Sequence, residues 1–173
     1  TLTEANGRTP GNPQILASLA QVRLNRKNWA GALALADAIG SAADNRALAD
    51  EIRAAALAGE NKIDESIAAM EKAHQAAPEA VQPVVALVSA YVKQGQGDKA
   101  ASLLQDMNTK FPGNAQLLVL TGQTMLALHR DDEAERSLKK AIEQRPKDPI
   151  GYTALYELYA RQKKLDAAED TIQ

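Results

Sequence analysis

The fold is decided by the stretch AQLLVLTGQTMLALHRDDEAERSLKKAIEQRPKD, residues 115–148. Its apolar residues recur at spacings of three and four in two segments, and the polar pair His129-Arg130 separates these segments. Such spacing places them along one face of an α-helix, so the stretch predicts a helix, a turn and a second helix. Pro146 is expected to end the second helix, because proline has no backbone N–H donor and disfavours helical geometry in the residue before it.

The same pattern returns every 34 residues along the chain. Steps of 34 from Pro10 reach a proline at three of the four later places, and steps from Ala32 reach a small residue every time: Pro10, Asp44, Pro78, Pro112, Pro146; Ala32, Ser66, Ala100, Ala134, Ala168. A fixed period of this length indicates an array of one repeated supersecondary unit. The predicted fold class is therefore all-α, built from antiparallel helix hairpins.

Acidic and amide side chains mark the predicted helix starts. An aspartate follows each of four polar breaks, where a carboxylate can accept from free amides and complement the positive end of the helix dipole: Asp64, Asp98, Asp132, Asp166. Two residues after the proline position stand three further candidate caps, Asn12, Asn114 and Asp148.

These features resemble the tetratricopeptide-repeat (TPR) family. The best match is 115–148, which carries Leu118, Thr121, Gly122, Met125, Ala134, Leu138, Ala141 and Pro146 at the expected places. The resemblance implies a right-handed superhelical solenoid with repeats at 13–46, 47–80, 81–114 and 115–148, flanked by the end of a preceding repeat (1–12) and a truncated repeat (149–173). We expect this to be a fragment of a longer array. The expected structural packing positions are Ala100, Gly122, Ala134, Leu138, Pro112 and Pro146.

Two repeats depart from the family pattern. Asp50 and Arg53 stand where 47–80 should be apolar, and Arg23 replaces an aromatic residue in 13–46. Three explanations are open: a functional groove feature, a hydrogen-bonded ion pair between adjacent repeats, or a local shift of register. The ion pair ranks first, because a buried charge without a partner costs several kcal/mol.

Composition narrows the function classes. The net charge of −2 provides no positive electrostatic potential that would attract nucleic acid. No apolar stretch approaches the roughly 20 residues that a membrane-spanning helix requires. There is no cysteine, only His74 and His129, and neither a glycine-rich phosphate loop nor a cluster with metal-ligand spacing. We therefore predict a protein that is not an enzyme and that uses no cofactor and no metal.

In the TPR family, partners usually bind the concave wall formed by the first helices. The outward positions of these helices combine glutamines with small or β-branched residues, and they predict a partner-binding face at Gln14, Gln21, Gln82, Val85, Ser89, Gln116, Val119 and Gln123. A glutamine amide offers both a donor and an acceptor to a peptide backbone, while valine can contact its side chains. The alternative is that glutamine serves only as a soluble helix former. The cations with which co-chaperone TPR domains clamp a terminal carboxylate are missing here.

The leading hypothesis is thus a non-catalytic scaffold that binds a protein or peptide on its concave face. The alternatives are an architectural spacer or oligomerisation segment, with possible end-to-end self-association, or the docking arm of an enzyme whose catalytic domain lies elsewhere. Residues 151–172, GYTALYELYARQKKLDAAEDTI, are more weakly similar to large bacterial TPR proteins of PEP-CTERM and exopolysaccharide systems. That similarity would imply a periplasmic or outer-membrane-associated location, and a cytoplasmic one is expected otherwise.

Overall fold

A computed structural model describes residues 11–172. This part of the chain consists of ten α-helices and one short 3₁₀-helix, Ala43–Asn45, without a β-strand. The α-helices are α1 Pro13–Asn25, α2 Trp29–Gly40, α3 Arg46–Gly59, α4 Ile63–Ala76, α5 Val81–Lys93, α6 Gly97–Lys110, α7 Ala115–Ala127, α8 Asp131–Gln144, α9 Pro149–Arg161 and α10 Leu165–Ile172. The predicted all-α class of paired helices is confirmed.

The turn inside each hairpin is fixed by one residue with left-handed backbone geometry. These residues are spaced by 34 and have φ values between 57° and 69°: Lys27, Asn61, Gly95, His129, Lys163. In each turn the next backbone N–H returns to the carbonyl five residues earlier, as from Gln96 to Tyr91 at 2.8 Å. This bond closes the C-terminus of the first helix in the manner of a Schellman motif, which usually places glycine at the left-handed position. Gly95 is the only glycine among the five.

The helix starts confirm one set of predicted caps. The side-chain oxygens of Asn12, Asn114 and Asp148 accept from the backbone N–H groups of Gln14, Gln116 and Ile150 at 3.0–3.1 Å. Each cap satisfies an amide that has no partner within its own helix.

The expectation that the later aspartates accept capping bonds is wrong. The cap positions of α4, α6 and α8 are Lys62, Gln96 and Arg130, and none of their side chains makes a cap bond. Asp64, Asp98 and Asp132 lie in the first helical turn, as does Asp166 in α10. They are past the cap, so their contribution is the favourable interaction of a negative charge with the helix dipole.

The chain divides into two compact units, Thr1–Leu87 and Val88–Gln173, and α5 crosses the boundary. In the first unit α2 packs on α1 and on α3, α3 packs on α4, and α1 also contacts α3. The core between α1, α2 and α3 consists of Leu16, Ala20, Ala36, Ile39, Ala49 and Ile52. Its alanines let neighbouring helices approach closely.

In the second unit α7 packs on α6 and α8, α9 packs on α8 and α10, and α7 also contacts α9. Ala100, Ala134 and Leu138 are completely buried. Gly122 lies so close to Leu138 that a Cβ atom there would stand 2.4 Å from the leucine Cγ. Pro112 and Pro146, which the sequence placed among the packing residues, are exposed. They follow the ends of α6 and α8, so they stop helices and add little to the core.

Candidate partner-binding surface

In the second unit, one stripe of α7 carries three of the predicted contact residues. Gln116, Val119 and Gln123 are spaced by three and four, which places them on one helix face. Both glutamines are exposed, Val119 is half-buried, and neither glutamine side chain hydrogen-bonds within the described part of the chain. The stripe therefore presents free amide donors and acceptors beside an apolar side chain.

The neighbouring helix α9 extends this surface. Its equivalent positions, 34 residues later, are Ile150, Thr153 and Glu157, and all three are exposed. Ile150 has 53% of its surface accessible, so it adds an exposed apolar side chain to these positions. The helices α7 and α9 contact each other. We call their two stripes together the α7–α9 wall: Gln116, Val119, Gln123, Ile150, Thr153, Glu157.

The first unit carries a corresponding surface, the α1–α3 wall: Gln14, Ala17, Gln21, Leu48, Glu51, Ala55. Gln14 and Gln21 are exposed, but the Gln21 amide donates to Asn25 Oδ1 at 3.1 Å along its own helix. Ala17 and Leu48 lie against the core between α1, α2 and α3. Burial raises the pKa of the Glu51 carboxyl above its ordinary value.

The structure therefore divides the predicted contact residues. Gln14 and Gln21 belong to the first unit, and Gln116, Val119 and Gln123 to the second. The remaining three lie on α5, with Gln82 exposed and Val85 half-buried in the first unit and Ser89 exposed in the second. Ile150 was not among the predicted contacts. The sequence feature that could have indicated Ile150 is its place in a series of equivalent positions, spaced by 34, in which three of the other four residues are glutamines: Gln14, Leu48, Gln82, Gln116.

The polar anomaly around Arg53 is a structural ion pair. The Arg53 guanidinium binds Asp50 on its own helix and, at 2.8 Å, Asp37 Oδ1 on α2. This outcome confirms the ion-pair explanation for Asp50 and Arg53. Arg23 takes no part in it, since its guanidinium donates to the Gly31 carbonyl at 2.8 Å. The Arg53–Asp37 pair links α2 and α3. None of the defining positions of the two walls is a cation.

Other chemistry is sparse in the described residues. His129 is exposed in a turn, and His74 is half-buried in the last turn of α4. Residues 11–172 contain no group of three or more acidic, histidine or cysteine side chains that could hold a metal ion. Within the same range, every helix is too short or too polar to cross a membrane.

Comparison with known families decides the identity of the fold. The tetratricopeptide-repeat model matches residues 57–117 and 92–156, which together cover more than half of the chain. The chain belongs to the tetratricopeptide-repeat family. Members of this family are generally non-catalytic scaffolds that bind other proteins. The all-α TPR fold predicted from the sequence is thereby confirmed.

Solved structures support the same fold. A TPR protein from Parabacteroides merdae has a TM-score of 0.72 at 18% identity, with 99% of this chain and 68% of that one covered. MamA from Desulfovibrio magneticus, residues 41 to its end, has a TM-score of 0.68 at 16% identity, with 92% and 90% covered. YrrB, described as a TPR protein with an unusual peptide-binding site, has a TM-score of 0.62 at 19% identity, with 99% and 88% covered. No curated protein sequence matches this chain.

Proposed function

We propose that this protein is a non-catalytic interaction scaffold that binds a peptide segment of a partner along its first helices. The observation that carries the proposal is the α7–α9 wall. There the side-chain amides of Gln116 and Gln123, which form no hydrogen bond within the described residues, share the wall with Val119 and the exposed Ile150. An amide can serve both the N–H and the C=O of a peptide backbone, and the two apolar residues can contact its side chains.

The charge of the wall defines the kind of binding. Glu157 is the only charged residue among its six members, and no cation is present. A ligand held here depends on amide hydrogen bonds and apolar contact, which salt screens little. Its affinity should therefore change little between low and physiological salt. The family's general role and the peptide-binding site of YrrB favour a peptide as the ligand.

The direct test begins with a displayed random-peptide library selected on the purified protein. The affinity of the best selected peptide is then measured for Val119→Glu combined with Ile150→Glu. Each glutamate puts a charge where the ligand needs an apolar contact, so we expect binding to weaken by at least about tenfold.

A charge-matched control places two glutamates on the second helix of another hairpin. Ser102→Glu combined with Gln105→Glu changes two exposed residues of α6, and it should leave the affinity unchanged. Equal binding by the wild type and the Val119/Ile150 variant would move the site away from the α7–α9 wall.

Self-association is a second candidate function, favoured by the exposed Leu165 in α10. In earlier hairpins the equivalent position lies beside the end of the next first helix. The Asp131 carboxylate accepts from Gln162 at 3.1 Å, and a Cβ atom on Gly97 would stand 2.6 Å from Leu128 Cδ2. Leu165 occupies this position with 65% of its surface accessible. A second copy could supply the helix end that such a position receives.

The first helix offers a matching apolar face for that contact. Ile15 and Val22 on α1 are half-buried, whereas the equivalent Ala49 and Ala56 on α3 are almost completely buried. We propose that α1 of one copy packs on α10 of another. Sedimentation equilibrium should show association that Leu165→Lys abolishes, whereas a concentration-independent monomer for the wild type would refute this contact.

A further inference from the structure

A pocket of about 210 Å³ opens in the second unit, apart from the α7–α9 wall. Second helices provide most of its lining, since one residue comes from α6 and four from α8, with a single leucine from α7. The lining residues are Asn108, Leu118, Glu133, Arg136, Ser137 and Lys140. None of them is a member of the α7–α9 wall, so a ligand here would use different side chains.

The charge of the pocket is positive. Arg136 and Lys140 lie one turn apart on α8, both are exposed, and neither forms an ion pair within residues 11–172. Glu133, the acidic lining residue, already accepts two hydrogen bonds from the Arg130 guanidinium, at 2.6 and 2.9 Å. Its charge is thus largely compensated, and the two free cations can share one anionic group.

Asn108 adds an acceptor that lacks a donor. Its Nδ2 group donates to the Leu104 carbonyl at 2.8 Å and to Thr121 Oγ1 at 2.7 Å, which fixes the orientation of the amide. Its Oδ1 atom is buried, and no residue of the described chain donates to it. A buried acceptor left without a donor costs about 1–3 kcal/mol.

We propose that this pocket binds an acidic side chain of a peptide segment. The carboxylate lies between Arg136 and Lys140, and a neighbouring apolar side chain rests on Leu118. A free inorganic anion would use the two cations but would gain no favourable contact from the leucine. The site goes beyond the α7–α9 wall, because its ligand is charged and its binding depends on salt.

Nuclear magnetic resonance titration tests the proposal on the intact chain. The probe is the blocked dipeptide N-acetyl-Leu-Glu-amide, compared with its Leu-Gln analogue and with inorganic phosphate. We expect the Glu probe to shift the Asn108 side-chain amide and the backbone amides of residues 136–140. The Gln analogue should bind at least about fivefold more weakly, because it lacks the charge that the cations pair with.

Substitution of the cations provides the second arm. Arg136→Gln combined with Lys140→Gln should remove these shifts, whereas Lys110→Gln combined with Lys147→Gln, two exposed lysines outside the pocket, should retain them at the same net charge. Raising NaCl from about 50 to about 300 mM should weaken the Glu probe, as expected for a charge-dependent site. Equal binding of the Glu and Gln probes, shifts that survive in the Arg136/Lys140 variant, or phosphate binding without dipeptide binding would each overturn the proposal.

Discussion

The connections from α6 to α7 and from α2 to α3 are equivalent joints between successive hairpins, but the next helix begins differently in each. Phe111-Pro112-Gly113-Asn114 connects α6 to α7 through a glycine with φ of 84°, and the Asn114 side chain accepts from the backbone N–H groups of Gln116 and Leu117 at 3.1 and 3.2 Å. The joint between α2 and α3 has neither proline nor glycine between Ser41 and Asn45. It winds through a 3₁₀-helix, and Asn45 makes no side-chain cap.

The uncapped joint is stabilised by contacts further along its helices. A Cβ atom on Gly40 would stand 3.0 Å from Ala49 Cβ, so α2 and α3 approach closely there. Arg53 then joins the same two helices through Asp37. Equivalent joints of the 34-residue repeat are therefore stabilised by different kinds of contact. The joint between α6 and α7 has a side-chain cap at Asn114, whereas the joint between α2 and α3 has no side-chain cap and is bridged by the pair of Arg53 and Asp37.

The largest expected effect concerns the tight contact between Gly122 and Leu138 in the second unit. Gly122→Val should lower the free energy of unfolding by about 3 kcal/mol, because the added Cβ would overlap a completely buried side chain. Urea titration followed by circular dichroism measures the change. Combining it with Leu138→Ala should cost less than the sum of the two single changes, since the smaller residue makes room. Strict additivity would show that the two residues do not share this contact.

An intermediate effect tests the joints directly. Asn114→Ala should lower the free energy of unfolding by about 1 kcal/mol, because it removes the side-chain acceptor from the start of α7. Asn45→Ala is the matched change at the other joint and should be nearly neutral, because Asn45 makes no such bond. Thermal or urea unfolding of the wild type and both variants measures the two decreases in the free energy of unfolding. Equal losses would mean that the difference between the joints has no energetic consequence.

Features that depend on neighbours in the chain could be predicted from the sequence. The hairpin turns and the caps at Asn12, Asn114 and Asp148 could be predicted, because a cap and the backbone N–H groups that donate to it lie within three residues. The capping role given to Asp64 was wrong, since the cap position two residues earlier belongs to Lys62. Placing a helix start to within two residues requires the backbone geometry, which the sequence pattern does not provide.

Features assembled from several helices could not be predicted. The partner of Arg53 on α2 is 16 residues away and depends on how α2 and α3 pack. The exposure of Ile150 likewise depends on what covers α9. The positively charged pocket draws six residues from three helices, and no spacing in the sequence links Asn108 to Arg136 and Lys140. The candidate contact positions followed from family position alone, and their role as a binding surface stays a prediction.

The smallest expected effect contrasts two glutamates, one in each unit, through the pH dependence of stability. Burial raises the pKa of Glu51 on α3, so its ionised form is disfavoured in the folded chain. The hydrogen bond from Lys139, followed by that from Tyr159, lowers the pKa of Glu135 on α8, so its ionised form is favoured there. Stability from Glu51 is present below its unfolded pKa and is lost as the pH rises through its folded pKa. Stability from Glu135 is present above its unfolded pKa and is lost as the pH falls through its folded pKa.

Glu51→Gln should therefore raise the free energy of unfolding at about pH 7. This gain should disappear at about pH 4, because the wild-type carboxyl is then largely protonated. Glu135→Gln should lower it at neutral pH, and this deficit should shrink as acid protonates the wild-type carboxylate. Urea midpoints of the two variants and the wild type across this pH range give both differences. A destabilising Glu51→Gln at neutral pH would mean that the carboxylate is stabilised by a partner that outweighs its burial.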